Sequence, residues 1–484
     1  MRLLRRNFLQ GALGVAAGAL GSTWAGRAAA QHAGHGPSPV PGATAAQSRP
    51  AGAGVPVPVN VLDVPKLPWE LDNGVKVFRL VAEPVKAEFV PGKVVDLWGY
   101  NGHNPGPTIE VNEGDRVRFL FENRLPEPTT VHWHGLEVPI EMDGVPAISQ
   151  PLVSPGERFT YEFTVRQNGT FFYHTHMAMQ EMLGLLGFFI IHPREAHRPA
   201  VQKDFGIILQ EWAILPNNTI PNTLSMEFNW LTFNGKAGPA ATPMLVKLGE
   251  RVRIRLVNIG MDHHPIHLHG FQFRVTGTEA GRVPESAWYP QNTVLVGVAQ
   301  ARDLEFDAVY PGDWMLHCHL PHHMMNQMVS MVGPMLHGSQ AIETGKGMEE
   351  GMGMMKGHAL SGENAPGFGR GMGMTTAEKP MTPMVGPSPH AQHGDSGGAG
   401  ARAKGRVPGF PQDMWMPMDD EVAKPETFGL PKDWSAALGG MMTLVRVLPP
   451  DKYDEIMARV QAAGSGARPA PPPPPAAPGG GHGH

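Results

Sequence analysis

Histidine occurs four times in this chain as a pair separated by one residue, and these pairs are its strongest chemical feature. Residues two apart on a β-strand point to the same face, so each pair would present two imidazoles side by side. Eight such nitrogen donors suit copper, iron, nickel or zinc. One pair alone is weak evidence for a metal site, but four pairs are hard to explain by packing. The pairs are His132/His134, His174/His176, His267/His269 and His317/His319.

The single cysteine of the chain, Cys318, lies between the two histidines of the last pair. A lone cysteine cannot form a disulfide within the chain, and by itself it would be read as a small buried residue. Its neighbours indicate another role, because His323 and Met328 follow it and His264 precedes the third pair. Two imidazoles, a thiolate and a weak thioether form the ligand set of a blue-copper electron-transfer site. Cys318 would connect that copper to metals held by the imidazoles on either side.

Short apolar runs between turn signals predict the elements that position these residues: two β-sandwich domains, at 61–195 and 203–337. The two regions are also an internal repeat, because residues 111–118 match residues 246–253. Continuing the match places the histidine pairs of the first region on those of the second. The chain therefore carries equivalent pairs at equivalent places in two related domains.

Composition narrows the class of protein. The 484 residues are enough for two or three domains, and 41% of them are apolar, which suits a substantial core. The net charge of −5 and the absence of a basic block argue against a nucleic-acid surface. The chain also has 23 His and 28 Met, which agrees with a metal-binding protein.

The N-terminus predicts export from the cytoplasm. A twin-arginine pattern at 5–9 is followed by an apolar, Gly/Ala-rich run to about Trp24 and a small-residue cleavage site at 28–30. The run is too short and too weakly apolar for a membrane anchor. We expect a signal peptide at 1–30, a flexible leader at 31–60, and a periplasmic or secreted mature protein with no membrane span.

The composition changes after the second domain. Residues 338–405 are rich in Gly, Met and His, which predicts a disordered linker. Its thioethers are soft ligands, so we interpret it as a segment that captures Cu(I). Residues 406–463 are predicted to be a short helical extension, with helices over 441–448 and 452–462 separated by two prolines. A Pro/Gly/His tail at 464–484 ends the chain.

The histidine motifs, all present and in order, resemble those of multicopper oxidases, the family of laccases, cuprous oxidases and their relatives. The resemblance covers about residues 65–337. It implies an all-β fold of two cupredoxin-like Greek-key sandwiches, followed here by a largely disordered, partly helical extension. It also implies one-electron oxidation of a donor, Cu(I) or a phenol, coupled to four-electron reduction of O₂ to water, in the context of copper tolerance. The motifs are His132-Trp133-His134-Gly135, His174-Thr175-His176, His264-Pro265-Ile266-His267-Leu268-His269-Gly270, and His317-Cys318-His319 with His323 and Met328.

The resemblance further implies one type 1, one type 2 and two type 3 copper ions per active unit. The type 1 ligands would be His264, Cys318 and His323, with Met328 as the weak axial ligand. The type 2 copper would be held by His132 and His267, one type 3 copper by His134, His174 and His319, and the other by His176, His269 and His317. Every copper of the three-ion cluster thus draws on both domains, and Cys318, His317 and His319 would carry electrons to it.

Domain 1 lacks the four type 1 ligands. The equivalent positions, by the sequence match, are Thr129, Thr175, Gln180 and Leu185. Too few residues separate the first and third histidine motifs for a domain between them. The chain therefore resembles two-domain laccases, in which domain 1 of one subunit meets domain 2 of the next. The resemblance implies a homotrimer with clusters at the subunit interfaces.

Reduction of O₂ consumes protons, so we expect an acid near the cluster. Asp143 matches the acid that follows the first motif in the family, which implies a proton-handling role; the alternative is an ordinary turn residue before Gly144. Two other functions remain open. One is a non-catalytic periplasmic copper-binding protein. The other is a copper nitrite reductase, which would have its type 1 cysteine in domain 1, where this chain has Thr175.

Overall fold

The structure is a computed structural model that describes residues 56–214, 218–324 and 417–464. Outside these residues lie the predicted signal peptide (1–30), most of the predicted leader (31–60), the predicted linker (338–405), residues 465–484 of the predicted tail, and Met328. Within the described part of the chain, no helix is long and apolar enough to cross a membrane.

Domain 1 is a β-sandwich of two sheets. Its strands are β1 (Trp69–Asp72), β2 (Val75–Glu88), β3 (Val94–Tyr100), β4 (Gly106–Asn112), β5 (Arg116–Asn123), β6 (His132–His134), β7 (Arg158–Thr164), β8 (Gly169–His174) and β9 (Leu186–His192). One sheet has the order β1-β2-β5-β7, with β3 also paired to β2, and the other has the order β4-β9-β8-β6. Buried and less buried residues alternate along β5, so one face of its sheet packs on the core. Phe119 and Trp133 meet there at 4.3 Å between ring centroids.

Domain 2 is a second, larger sandwich. Its strands are β10 (Lys203–Trp212), β11 (Trp230–Phe233), β12 (Met244–Lys247), β13 (Arg251–Asn258), β14 (His264–Leu268), β15 (Phe273–Thr278), β16 (Gly281–Arg282), β17 (Pro290–Gln291), β18 (Thr293–Val296), β19 (Gln300–Asp307), β20 (Gly312–Cys318) and β21 (Met442–Leu448). One sheet has the order β11-β10-β13-β19-β15-β16, with β17 on β15, and the other β12-β21-β20-β14-β18. The all-β prediction of two cupredoxin-like sandwiches is confirmed.

The described residues contain few helices, and all but one are short. The α-helices are α1 (Ala178–Glu181) and α2 (Pro450–Gly464), and the 3₁₀ turns are Ile140–Met142, Glu285–Ala287, Pro321–Met324, Pro425–Thr427 and Trp434–Ala437. The helix predicted over 452–462 is confirmed by α2. Tyr453 and Ile456 of α2 pack against Leu245 and Leu448 of domain 2.

The helix predicted over 441–448 is wrong, because this segment contains strand β21. All residues of β21 are buried, and it lies between β12, to which it is parallel, and β20, to which it is antiparallel. A short apolar run does not distinguish a buried strand from a buried helix, and here the position in the middle of a sheet decides. Domain 2 consequently includes a strand that lies far beyond its predicted end at residue 337.

The two domains pack directly on each other within one chain. Phe172 and Phe188 of domain 1 share a buried apolar cluster with Ile208 and Val257 of domain 2. A buried hydrogen bond also crosses this interface, because Arg255 donates to Thr170 Oγ1 at 2.7 Å. The strand β8, which ends at His174, is therefore held firmly against domain 2.

Candidate metal centre

Three potential metal donors converge at one end of domain 2. His264 begins β14, Cys318 ends β20, and His323 lies in the 3₁₀ turn that follows. The Cys318 sulfur is 3.7 Å from His264 Nδ1 and 3.5 Å from His323 Nδ1, and the two Nδ1 atoms are 3.1 Å apart. All three residues are fully buried. The structure thus brings together the three residues that the sequence predicted as strong type 1 ligands.

The protonation state of Cys318 depends on whether a metal ion is bound. Burial raises the pKa of the Cys318 thiol to about 12. At neutral pH the thiol would therefore keep its proton unless a metal ion displaced it. Two imidazole nitrogens and a thiolate sulfur suit copper, so the residues present fit the metal that the family resemblance implies.

A buried carboxylate that the sequence did not reveal orients His264. The Glu211 side chain, with no exposed surface, accepts a hydrogen bond from His264 Nε2 at 3.1 Å and from the Asp262 backbone N–H at 2.8 Å. Because a carboxylate accepts, the His264 proton lies on Nε2, and Nδ1 faces Cys318 with its lone pair. Glu211 lies on β10, distant in sequence from every histidine motif. Its only sequence signal is an acid shortly after the apolar run 205–209.

The other imidazole of this cluster faces a second carboxylate. His323 Nε2 is buried and has no hydrogen-bond partner among the described residues. It lies 3.5 Å from Asp262 Oδ2, whose side chain is partly exposed. Asp262 was also not identified from the sequence, although it lies close to the third histidine motif.

Domain 1 holds one set of histidines at the end of its smaller sheet. The ligand atoms of His132, His134 and His174 all lie within 4.8 Å of one another. Antiparallel pairing of β6 with β8 places His132 opposite His174. The exposed His176 ring lies 5.5 Å from His132, measured between centroids. Burial, together with His174 and His132, lowers the pKa of His134 to about 4, so this imidazole is neutral and able to bind a metal.

Domain 2 holds the matching set in the same arrangement. The ligand atoms of His267, His269 and His317 also lie within 4.8 Å of one another, and pairing of β14 with β20 places His267 opposite His317. The exposed His319 ring is 5.6 Å from that of His267. Among the described residues, the imidazole contacts stay within each domain, so each domain presents half of the predicted cluster.

Backbone carbonyls fix the tautomers of two histidines in each half-cluster in the same way. His132 Nδ1 donates to the Asp143 carbonyl at 2.7 Å, and His267 Nδ1 donates to the Asn292 carbonyl at 2.7 Å. His174 and His317 each donate from Nδ1 to the carbonyl of the next residue, at 2.7 and 2.8 Å. A carbonyl only accepts, so the proton lies on Nδ1 and Nε2 is left to bind a metal.

Acidic side chains lie beside the domain 1 histidines. Asp143 Oδ1 is 3.5 Å from His132 Nδ1, so the structure brings this predicted acid to the cluster. The turn behind it is tight, because Gly144 has φ +84° and a Cβ there would collide with the Val131 carbonyl. A second acid, Glu181 of α1, lies 3.1 Å from His174 Nδ1 and was not identified from the sequence.

Comparison with known proteins identifies the family of both domains. Two family models, each described as multicopper oxidase, match residues 82–196 and 215–333. A solved blue copper oxidase from Nitrosomonas europaea is 30% identical; the match covers 52% of this chain and 81% of that one, with a TM-score of 0.49.

Curated relatives match shorter parts of the chain. Copper resistance protein A of Escherichia coli is 37% identical over 28% of this chain, and multicopper oxidase mco of Staphylococcus aureus is 32% identical over 41% of it. The matches span 22% of the first relative and 46% of the second. The two family matches and the identity with the solved oxidase show that this chain belongs to the multicopper oxidase family.

Proposed function

We propose that this protein is an oxidase that takes single electrons from a reduced donor at a type 1 copper and reduces O₂ to water at a three-copper cluster. The observation that carries the proposal is the position of Cys318, which shares a buried cluster with His264 and His323 while its neighbours in the chain face the half-cluster of domain 2. Bound copper would supply the redox chemistry. The protein would hold the type 1 ion with these three residues.

Strand β20 provides a short covalent path between the two kinds of site. Its Cys318 faces the core, and His317 and His319 face the other way, because side chains alternate along a strand. The His317 ring is also tied to the Cys318 carbonyl at 2.8 Å. We assign this segment the role of electron carrier from the type 1 site to the cluster.

The remaining ligands would come from the two half-clusters. His132 and His267 would hold the type 2 copper; His134, His174 and His319 one type 3 copper; His176, His269 and His317 the other. Asp143 is proposed to hold and deliver protons at its Oδ1, beside His132. Its partly exposed side chain gives it access to solvent protons.

Because each half-cluster is separate within one chain, we propose that a complete cluster forms between domain 1 of one subunit and domain 2 of the next, in a homotrimer. Exposed apolar groups near both halves support this assembly. The exposed Ile140 and Ile148 follow the first motif, and the exposed Tyr310 lines a cleft of about 610 Å³ together with His267. An Ile148→Asp variant that is monomeric should keep the type 1 visible absorption and lose O₂ uptake.

The proposed donor is Cu(I) or a phenol, and the proposed role is copper tolerance in the periplasm or outside the cell. The relatives named copper resistance protein support the role, and the twin-arginine pattern supports the compartment. A variant lacking 338–405 tests whether this Met-rich segment delivers Cu(I). Its Cu(I) oxidation should fall while phenol oxidation stays at the wild-type rate.

Oxygen uptake by the copper-replete full chain tests the function itself. We expect uptake with Cu(I) or with a phenol, in a ratio of one O₂ to four electrons. Copper binding without uptake would indicate a storage or transfer protein. Reduction of nitrite with no uptake of O₂ would indicate the nitrite reductase alternative.

A further inference from the structure

The internal repeat provides a template for the strand that closes a sandwich of this chain. In domain 1, the Thr175 N–H donates to the Leu185 carbonyl at 3.0 Å, and the Leu185 N–H donates to the Gln180 carbonyl at 3.3 Å. Strand β9 starts at the next residue. It pairs antiparallel with β8, placing Leu186 opposite His174, and parallel with β4.

Domain 2 repeats this arrangement with residues from the far C-terminal segment. The Cys318 N–H donates to the Met441 carbonyl at 3.0 Å, and the Met441 N–H donates to the His323 carbonyl at 2.9 Å. Strand β21 starts at the next residue. It pairs antiparallel with β20, placing Met442 opposite His317, and parallel with β12. Met441 therefore has the place in domain 2 that Leu185 has in domain 1.

The side chain of Met441 lies on the same face of the sheet as Cys318. Continuing the β20–β21 register by one residue sets these two residues opposite each other, and directly opposed residues share a face. Met441 is fully buried in the apolar cluster that includes Cys318 and Ile266. Ile266 is itself paired with Cys318 from the other side.

The next methionine points to the opposite face. Met442 belongs to a different apolar cluster, with Met315 and Met324, and its sulfur accepts a hydrogen bond from the Gly439 N–H at 3.4 Å. The thioether that faces the cluster of His264 and Cys318 therefore belongs to Met441.

We propose that Met441, and not Met328, supplies the thioether ligand of the type 1 copper. This assignment rests on the proposed function, because it presumes that copper binds at Cys318. The sequence match equates Met328 with Leu185, but it assumes that the closing strand follows His323 directly. The structure has the closing strand at Met442–Leu448, so the backbone of the C-terminal segment holds two of the other ligands in place as well.

Substitution of the axial residue tests the proposal through the reduction potential of the type 1 copper and its visible absorption. The axial ligand tunes the potential of such sites. Met441→Leu removes a donor that favours Cu(II) and should raise the potential. Met441→Gln introduces an oxygen donor that favours Cu(II) more strongly and should lower it. A purely structural role for Met441 would not give shifts of opposite sign.

Two matched variants complete the experiment. Met442→Leu makes the same change on the opposite face of the strand, and Met328→Leu tests the rival ligand; both should keep the wild-type potential and spectrum. A shift in Met328→Leu, or wild-type potentials in both copper-replete Met441 variants, would overturn the assignment. If neither Met441 variant folds, the Met328→Leu spectrum decides alone. A wild-type protein without the type 1 absorption would instead refute the proposed function.

Discussion

At one equivalent position of the repeated fold, the two domains carry side chains of different chemistry. In domain 2, His264, Cys318 and His323 face one another with donors that suit a cation. In domain 1, hydroxyl and amide groups at the equivalent place bind one another: Thr129 Oγ1 is 3.0 Å from Thr175 Oγ1, and Thr175 Oγ1 donates to the Gln180 amide oxygen at 3.1 Å.

The difference shows which part of the site the scaffold provides and which part the side chains provide. The Gln180 amide nitrogen also donates to the Pro128 carbonyl at 2.9 Å, so the domain 1 cluster is satisfied by hydrogen bonds. Both domains carry a half-cluster of histidines on equivalent strands, β6 and β8 in domain 1 and β14 and β20 in domain 2. A single scaffold therefore positions the histidines twice. The buried place next to them holds either a hydrogen-bonded cluster, Thr129, Thr175 and Gln180 in domain 1, or the proposed metal site in domain 2.

The largest expected effect comes from replacing Cys318, the residue whose chemistry differs most from that of its equivalent in domain 1. Cys318→Ser removes the sulfur that, as thiolate, would give the proposed type 1 site its intense visible absorption and connect it to the proposed cluster. We expect loss of that absorption and of nearly all turnover, measured by visible spectroscopy and oxygen uptake. The matched change in domain 1, Thr175→Ser, should leave both at wild-type levels. A Cys318→Ser protein that stays blue would disprove the assignment of the metal site.

Removal of a cluster histidine should distinguish copper binding at the proposed type 1 site from O₂ reduction at the proposed cluster. His174→Ala in domain 1 and His317→Ala in domain 2 each remove one imidazole from a half-cluster, so both should abolish O₂ uptake. His174→Ala should retain the type 1 visible absorption, because all the proposed type 1 ligands lie in domain 2. Retention of normal uptake in His174→Ala would contradict a cluster shared by both domains.

Glu211→Gln should have a smaller effect that is confined to domain 2. The amide keeps the shape of the side chain but lacks the charge that orients His264 through Nε2. Loss of such a partner behind a metal-binding histidine lowers metal affinity about 10- to 100-fold, and we expect this for the type 1 copper in competition with a chelator. Glu110→Gln serves as the control, because Glu110 of β4 also binds a histidine, His192 at 2.6 Å, but lies in domain 1. Unchanged type 1 affinity in Glu211→Gln would show that Glu211 only fills space.

The smallest effect should follow from disruption of the hydrogen-bonded cluster of Thr129, Thr175 and Gln180 in domain 1. Thr175→Val removes the hydroxyl that joins Thr129 to Gln180 and leaves buried polar atoms without partners, which should cost about 1–3 kcal/mol in the free energy of unfolding. The copper content and the visible absorption should not change. Denaturant unfolding measures the loss, and a change in colour would mean that domain 1 takes part in the type 1 site.

Local sequence patterns were sufficient for the histidine half-clusters, because spacing along a strand determines which side chains share a face. The family resemblance, and not the local pattern, pointed to Asp143, which lies 3.5 Å from His132. Contacts between residues far apart in the sequence could not be predicted from such patterns. Glu211 reaches His264 from β10, and β21 enters the domain 2 sheet after an intervening segment that carries Met328. An apolar run such as Met442–Leu448 forms a strand because it pairs with the strands on either side of it in the sheet.

Diffraction from copper-replete crystals at the copper absorption edge tests the central claim most directly. We expect one anomalous peak among His264, Cys318 and His323, and three more between the domain 1 histidines of one subunit and the domain 2 histidines of another. Absence of copper at Cys318, or metal ions bound separately by each half-cluster with no shared site, would contradict it.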